Sequence, residues 1–292
     1  MKKHALIIDY KYCTGCHSCE VACQMEHGLP VGETGIKVVK IGPWAIGDEA
    51  DENWQFSYLP IPTKQCDTCA ARRGLGKVPT CVQHCQAWCM YYGEVEELAR
   101  FTTIPIINGL TDFCHPCQVL ADLMTVREHK AVLEGLKMCY IGDGNNMANS
   151  LIVGGLKCGM EVAVACPEGY DPDQQVLDFA HSDPSFKFSL HRAPKDAAVD
   201  ADVVFTDVWA SMGQEEERAI RAKAFAGYQI NQELMALTHP DCMVQHCLPA
   251  HRGEEITADV FEAHAQEIFD EAENRLHAQK AVMYLLMKNK ED

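Results

Sequence analysis

The sequence predicts an α/β protein in two parts: a small, cysteine-rich α+β domain over residues 1–100, joined to a doubly wound parallel-sheet domain over residues 101–292. Three observations predict this. The 16 cysteines of the 292-residue chain fall unevenly, 9 before residue 101 and 7 after it. Charge divides at the same place: residues 1–100 hold 10 basic and 12 acidic side chains, net −2, and residues 101–292 hold 15 and 30, net −15. Beyond residue 102, short apolar runs alternate with helical periodicity, the pattern of βαβ units.

A content of 47% hydrophobic residues is enough for packed cores and excludes global disorder. The net charge of −17 argues against a nucleic-acid surface or an anionic membrane as partner. The longest apolar runs, such as Ala281 to Met287, are far short of a membrane span. Met1-Lys2-Lys3-His4 precedes only Ala5 to Ile8 before Asp9, too short for a signal-peptide core, and no twin arginine follows. A cytoplasmic protein is expected, and in a reducing compartment this cysteine density speaks for metal or redox chemistry.

Taken in order, the first element is a cysteine turn. Cys13, Cys16, Cys19 and Cys23 stand at C-x2-C-x2-C-x3-C, the spacing with which three thiolates hold one iron–sulfur cube while the fourth reaches a neighbouring cluster. Cys66, Cys69, Cys81 and Cys85 form a second quartet with one stretched gap. A zinc ribbon or unrelated buried thiols are the alternatives, although the tight first quartet is unusual for zinc. Between the quartets, Gly35 to Pro62 reads as a β-hairpin around an acidic turn, Gly47 to Glu52, most simply a solvated loop and less simply a docking feature.

These residues resemble the two-cluster ferredoxin-type electron-transfer subunits that serve molybdopterin enzymes of the dimethyl-sulfoxide-reductase class. The resemblance rests on Ile8-Asp9-Tyr10-Lys11-Tyr12-Cys13-Thr14-Gly15-Cys16 and on Cys69-x2-Arg72-x3-Gly76-x2-Pro79-x-Cys81-Val82-x2-Cys85. It implies a ferredoxin-like fold, two [4Fe–4S] clusters and a molybdopterin oxidoreductase partner. It also implies crossed ligation: Cys13, Cys16, Cys19 and Cys85 for one cluster, Cys66, Cys69, Cys81 and Cys23 for the other. Gln86 stands where ferredoxins usually carry proline, and Cys89 is left over, most simply as a small buried hydrophobe.

In the second part, Lys137 to Ile141 reads as a buried strand, Gly142-Asp143-Gly144-Asn145-Asn146 as a turn with a helix cap, and Met147 to Leu156 as a helix. Further strands are expected at Glu161 to Ala165, Val203 to Thr206 and Met243 to His246. Ligands of such sheets bind beyond the carboxyl ends of the strands. Three of those ends carry polar or reactive residues: 142–146, then Asp207 to Gly213, then His246-Cys247-Leu248-Pro249. An amide, a carboxylate, a hydroxyl and a thiol would converge there, a set suited to an amino acid's charged groups. A plain turn at 142–146 and a core role for Cys247 are the alternatives. A dinucleotide site is disfavoured because G-x-G-x-x-G is absent.

From Ile104 to the C-terminus the chain resembles the later part of the ornithine carbamoyltransferases. The motifs are His115-Pro116-Cys117-Gln118, Gly142 to Asn146, Asp207-Val208-Trp209-Ala210-Ser211-Met212-Gly213, His246-Cys247-Leu248-Pro249-Ala250 and Glu271-Ala272-Glu273-Asn274-Arg275. The resemblance implies a Rossmann-like ornithine-binding domain in which Asn146, Asp207, Ser211 and Met212 hold ornithine. His115, Gln118, Cys247, Leu248 and Arg275 would contact carbamoyl phosphate, with Cys247 also beside the reacting amine. His115 and Gln118, three apart, share a helix face, and Arg275 offers a planar fork of donors.

The family's Ser-x-Arg-Thr-Arg carbamoyl-phosphate loop occurs nowhere in this chain, which implies that the amino-terminal carbamoyl-phosphate domain is missing. A join is read at Gly93 to Arg100. The helix bearing His115 and the terminal helix are expected to expose apolar faces (Val119, Leu120, Leu123; Val282, Leu285, Leu286) that need the first domain or a second chain as cover, a route to homo-oligomers. The reading favoured on these grounds is an iron–sulfur electron-transfer module fused to an ornithine-binding domain with little or no transferase activity. The alternatives are an active ornithine carbamoyltransferase with an accessory iron–sulfur domain, and a chimeric join without combined function.

Overall fold

The computed structural model describes residues 4–45, 54–94, 100, 106–210 and 217–288. The chain divides into two compact units, residues 1–106 and 107–292.

In the first unit, β1 (His4–Ile8) pairs antiparallel with β4 (Met90–Glu94), Ile8 opposite Met90, so the two ends of the unit close on each other. Between them β2 (Ile36–Ala45) and β3 (Trp54–Pro62) form the expected hairpin, with a register shift between Ile41 and Trp44. The acidic turn at 47–52 lies outside the described residues. Among the described residues of the unit are the helices α1 (Ser18–His27), α2 (Ala70–Gly74) and α3 (Thr80–Gln83) and a 3-10 turn at Tyr10–Tyr12. The core is small and rich in sulfur: Cys19, Cys23, Cys81 and Cys89 with Ile36, Val38 and Met90. Gly15 shows how tightly β3 covers the first cysteine turn. Its φ is +68°, and a Cβ there would lie 2.6 Å from the Tyr58 ring.

The second unit is built on one parallel sheet. Its strands are β5 (Lys137–Ile141), β6 (Glu161–Ala165), β7 (Lys187–His191), β8 (Val203–Thr206) and β9 (Met243–His246). Their order across the sheet is β7-β6-β5-β8-β9. The chain therefore steps outward from β5 in one direction and then returns to its other side, which places a switch point between β5 and β8. Successive residues of a strand point to opposite faces, so each face acquires its own core. On one face Met138, Tyr140, Val162, Val164, Val203 and Phe205 pack with α4 (Pro116–Lys130), α5 (Asn146–Lys157) and α6 (Gln174–Ala180). On the other, Cys139, Ile141, Ala163, Ala165, Val204 and Val244 meet α7 (Pro194–Ala198), α9 (Gln232–Met235), α10 (Ala258–Ala263) and the start of α11 (Ala265–Lys288). Helix α8 (Arg218–Ala224) lies before α9 in the chain.

Two sequence expectations change. The strand β7 was not foreseen, because Lys-Phe-Ser-Leu-His is a half-polar edge strand without a clean apolar run. The apolar face of α4 is not bare: Val119 and Leu123 are buried in their own unit's core, and only Leu120 of the three is exposed. On the terminal helix, α11, Leu285 and Leu286 are exposed as expected, and so is Leu276.

Candidate functional site

The site grows out of the loop after β5. Gly142 has φ +153°, and a Cβ on Gly144 would fall 2.3 Å from the backbone of Asp171 and Pro172, so glycine alone lets the loop after β6 cross here. The turn leaves Asn145 as the N-cap of α5, its Oδ1 accepting from the Met147 and Ala148 N–H groups at 2.9 and 3.3 Å. Asn145 Nδ2 then donates to Asp207 Oδ2 at 3.0 Å. Asp207, at the end of β8, also accepts on Oδ1 from its neighbour's backbone, Val208 N at 2.7 Å, and from the Cys247 thiol at 3.2 Å. The three strand ends are thus tied together by Asn145, Asp207 and Cys247.

Burial, the Asp207 carboxylate and Glu271 push the Cys247 thiol far above its ordinary range. At neutral pH it is a thiol that donates to Asp207 and not a thiolate nucleophile. The turn carrying it is held by His246. That imidazole accepts from Leu248 N at 2.9 Å on Nδ1, which makes Nε2 the donor to Glu255, 3.1 Å away and fully buried with it. Leu248 takes φ +53°, a left-handed conformation uncommon for a branched residue.

The start of α5 organises the other wall. Asn146 Nδ2 donates to the Thr111 carbonyl at 2.8 Å, Asn149 Nδ2 to the Phe113 carbonyl at 2.9 Å, and the His115 N–H to Ser150 Oγ at 2.7 Å. Segment 111–115 is thereby fixed, with His115 as the N-cap residue of α4. Burial and the nearby Arg275 guanidinium depress the His115 pKa, so the imidazole is neutral. Its buried Nδ1 has no partner among the described residues. One helical turn on, Gln118 accepts from Arg275 Nη1 through its amide oxygen. Beneath the crevice Arg221 Nη1 lies 2.6 Å from Asp143 Oδ2.

The structure therefore brings together His115, Gln118 and Arg275 on one side and Asp207 and Cys247 on the other, with Asn146 and Leu248 at the adjoining turns. Glu271 joins the two sides, accepting from Gln118 Nε2 at 3.0 Å and from His246 N, beside Cys247, at 2.8 Å. Ser211 and Met212 lie outside the described residues. Sequence reasoning placed Asn145 in the 142–146 turn without giving it a partner, and missed Asn149 and Ser150. The only available signal was the polar run Asn-Asn-Met-Ala-Asn-Ser at a helix start.

In the first unit, Cys23, Cys66, Cys69 and Cys81 line one pocket, together with His27 and Asp67. Cys13, Cys16, Cys19 and Cys85 line another, together with Cys89, whose Sγ is 3.5 Å from that of Cys85. His27, Asp67 and Cys69 present ligand atoms within 4.8 Å of one another, and so do His251, Glu254 and Glu255. Glu255 is already engaged by His246.

Two family models match the chain. Residues 134–286 match the Asp/Orn binding domain of aspartate/ornithine carbamoyltransferases, and residues 67–128 match the carbamoyl-P binding domain. The ornithine carbamoyltransferase of Geobacter metallireducens is 56% identical over 199 residues, 68% of this chain and 66% of the relative. The structure of the Pyrococcus furiosus ornithine carbamoyltransferase superposes with TM-score 0.63 at 52% identity, covering 66% of this chain and 63% of that one. The anabolic enzyme of Campylobacter jejuni gives 0.64 at 38% identity, over 67% and 66%. The chain spans about two thirds of the length of these relatives.

These matches correct three expectations. Two [4Fe–4S] clusters are not retained as cofactors. Both family models describe carbamoyltransferases, whose reaction needs no redox centre, and the carbamoyl-P model extends over Cys69, Cys81 and Cys85. The electron-transfer role and the molybdopterin partner fall with them. So does the fusion of an electron-transfer module to an inactive binding domain, since relatives above 50% identity are ornithine carbamoyltransferases. No helix among the described residues is long and apolar enough to cross a membrane. By the extent and kind of these matches, the chain belongs to the aspartate/ornithine carbamoyltransferase family.

Proposed function

We propose that this chain transfers the carbamoyl group of carbamoyl phosphate to the side-chain amine of ornithine, giving citrulline and phosphate. The single observation that carries the reading is the Asn145–Asp207–Cys247 hydrogen-bond chain that ties the three strand ends together. The Asp207 carboxylate supplies the negative charge that an ammonium-bearing substrate needs, and Asn146 stands with it on the amino-acid side; the family resemblance adds Ser211 and Met212 to that side and Leu248 to the carbamoyl side. His115, Gln118 and Arg275 form the carbamoyl side. A neutral imidazole and a guanidinium are donors suited to a carbonyl oxygen whose charge grows as the amine attacks. The amine's electron pair forms the new C–N bond, the C–O bond to phosphate breaks, and the amine proton leaves with the phosphate. Cys247, held as a thiol, orients Asp207 and takes no covalent part.

Without a Ser-x-Arg-Thr-Arg loop, the phosphate is held weakly, so the KM for carbamoyl phosphate is expected to be high while ornithine affinity is retained. The domain reading that accompanies this proposal places the ornithine domain at residues 101–292, with residues 1–100 as a separate domain. Citrulline formation by the full chain, measured against carbamoyl phosphate concentration, tests the proposal, with calorimetric titration of ornithine alongside. Absence of citrulline at saturating carbamoyl phosphate would refute it, whether or not ornithine binds.

A further inference from the structure

Behind Gln118 lies a pair of carboxyl groups that the reaction does not use. Asp122 and Glu271 are 0% and 1% exposed, on α4 and α11, and both accept from the same nitrogen, Gln118 Nε2, at 2.8 and 3.0 Å. Two carboxylates cannot face each other at that depth unless a proton lies between them. The surrounding donors say where it sits. Glu271 accepts on both oxygens from N–H groups, Gln118 Nε2 at 3.0 Å and His246 N at 2.8 Å. Asp122 Oδ1 accepts from Gln118 Nε2 at 2.8 Å, while Asp122 Oδ2 is buried and receives no donor among the described residues. The charged and titratable groups facing the pair are Arg275 from α11 and Cys247 from the turn after β9.

We propose that Asp122 and Glu271 are positioning residues. They share one proton, carried on Asp122 Oδ2 and donated to the Glu271 carboxylate. Their three remaining acceptor positions bind the amide nitrogens of Gln118 and His246. The Gln118 amide is thus locked with nitrogen inward and oxygen toward Arg275, so both the carbamoyl-side fork and the Cys247 turn are referenced to one buried proton. Burial raises both carboxyl pKa values, which favours a proton on the pair, and the donor geometry chooses the oxygen that carries it. The kinetic part of this inference rests on the carbamoyl-transfer reading; the proton assignment does not.

The assignment makes Asp122→Asn and Glu271→Gln unequal. Asn at 122 keeps an acceptor toward Gln118 and puts N–H where the proton was. Gln at 271 must turn its NH2 toward another N–H donor. The full chain and both variants are examined at neutral pH by infrared spectroscopy for a protonated, buried carboxyl band. Side-chain amide exchange of Gln118 is followed by NMR, its resonance assigned with Gln118→Ala. The expected result is one such band in the wild type, its loss in D122N with the Gln118 amide still protected, and loss of that protection in E271Q. In citrulline kinetics E271Q should raise the KM for carbamoyl phosphate at least about tenfold more than D122N does. Absence of the band in the wild type, or equal loss of Gln118 protection in D122N and E271Q, would overturn the proposal. If E271Q does not fold, the wild-type band and the D122N result still decide it. A wild type that shows the band but forms no citrulline refutes the carbamoyl-transfer reading and leaves the proton assignment standing.

Discussion

Replacing Arg221 by Met tests the electrostatics under the crevice. Arg221 Nη1 is 2.6 Å from Asp143 Oδ2 and 3.1 Å from the Trp209 carbonyl, and the two paired side chains are 9% and 11% exposed. Met keeps much of the stem volume but removes the charge, leaving Asp143 as an uncompensated buried carboxylate. Breaking one partner of a pair at this depth costs about 3–5 kcal/mol. The second contact of Arg221, to the largely exposed Glu217, adds at most about 1 kcal/mol. With a urea slope near 2 kcal/mol per M, the midpoint should fall by about 1.5–2.5 M. Fluorescence of Trp209, the one tryptophan in residues 107–292, reports it directly.

The pH dependence follows from the same pair. Burial holds the Asp143 carboxyl above its ordinary 3.8 even with Arg221 beside it. The native state therefore binds this proton more tightly than the unfolded state, and the associated stability falls as pH rises from 3.8 through the raised value. Without Arg221 that window extends upward, so the R221M deficit should shrink on acidification from pH 7 to pH 5. R221M/D143N should recover about 2 kcal/mol or more, because the neutral amide needs no counter-charge. A midpoint change worth less than about 0.5 kcal/mol in R221M, or a double variant no better than the single, would refute the reasoning.

Three further outcomes are expected. Asp207→Asn turns an NH2 toward Asn145 Nδ2 or toward the Val208 and Cys247 donors. It should weaken ornithine binding at least about 100-fold by calorimetry, and unchanged affinity would remove Asp207 from the site. Gly144→Ala places a methyl group 2.3 Å from the 171–172 backbone. It should cost about 3 kcal/mol, a fall in Tm of about 6–12 °C in thermal unfolding. His115, whose pKa is depressed from 6.5 by burial and Arg275, contributes stability that is full above pH 6.5 and is lost as pH falls through its lowered value. In His115→Gln that portion of the acid limb should flatten, and an unchanged limb would mean the imidazole is not held neutral.

What the sequence determined by itself was local. The runs Lys137–Ile141, Glu161–Ala165, Val203–Thr206 and Met243–His246 are apolar enough, and punctuated sharply enough by turn residues, to read as strands; the structure has strands with the same bounds. In a parallel sheet every strand leaves from the same edge, so motifs just after β5, β8 and β9 had to share a rim. Tertiary structure decided the rest. Only the order β7-β6-β5-β8-β9 puts Asp207 between Asn145 and Cys247. Only the packing of α11 on α4 makes a buried pair of Asp122 and Glu271, two acids far apart in the linear chain. The physical reason is the same in each case. Side-chain periodicity is written within a few residues, whereas desolvation, proton sharing and hydrogen-bond direction depend on groups that meet only after the chain has folded.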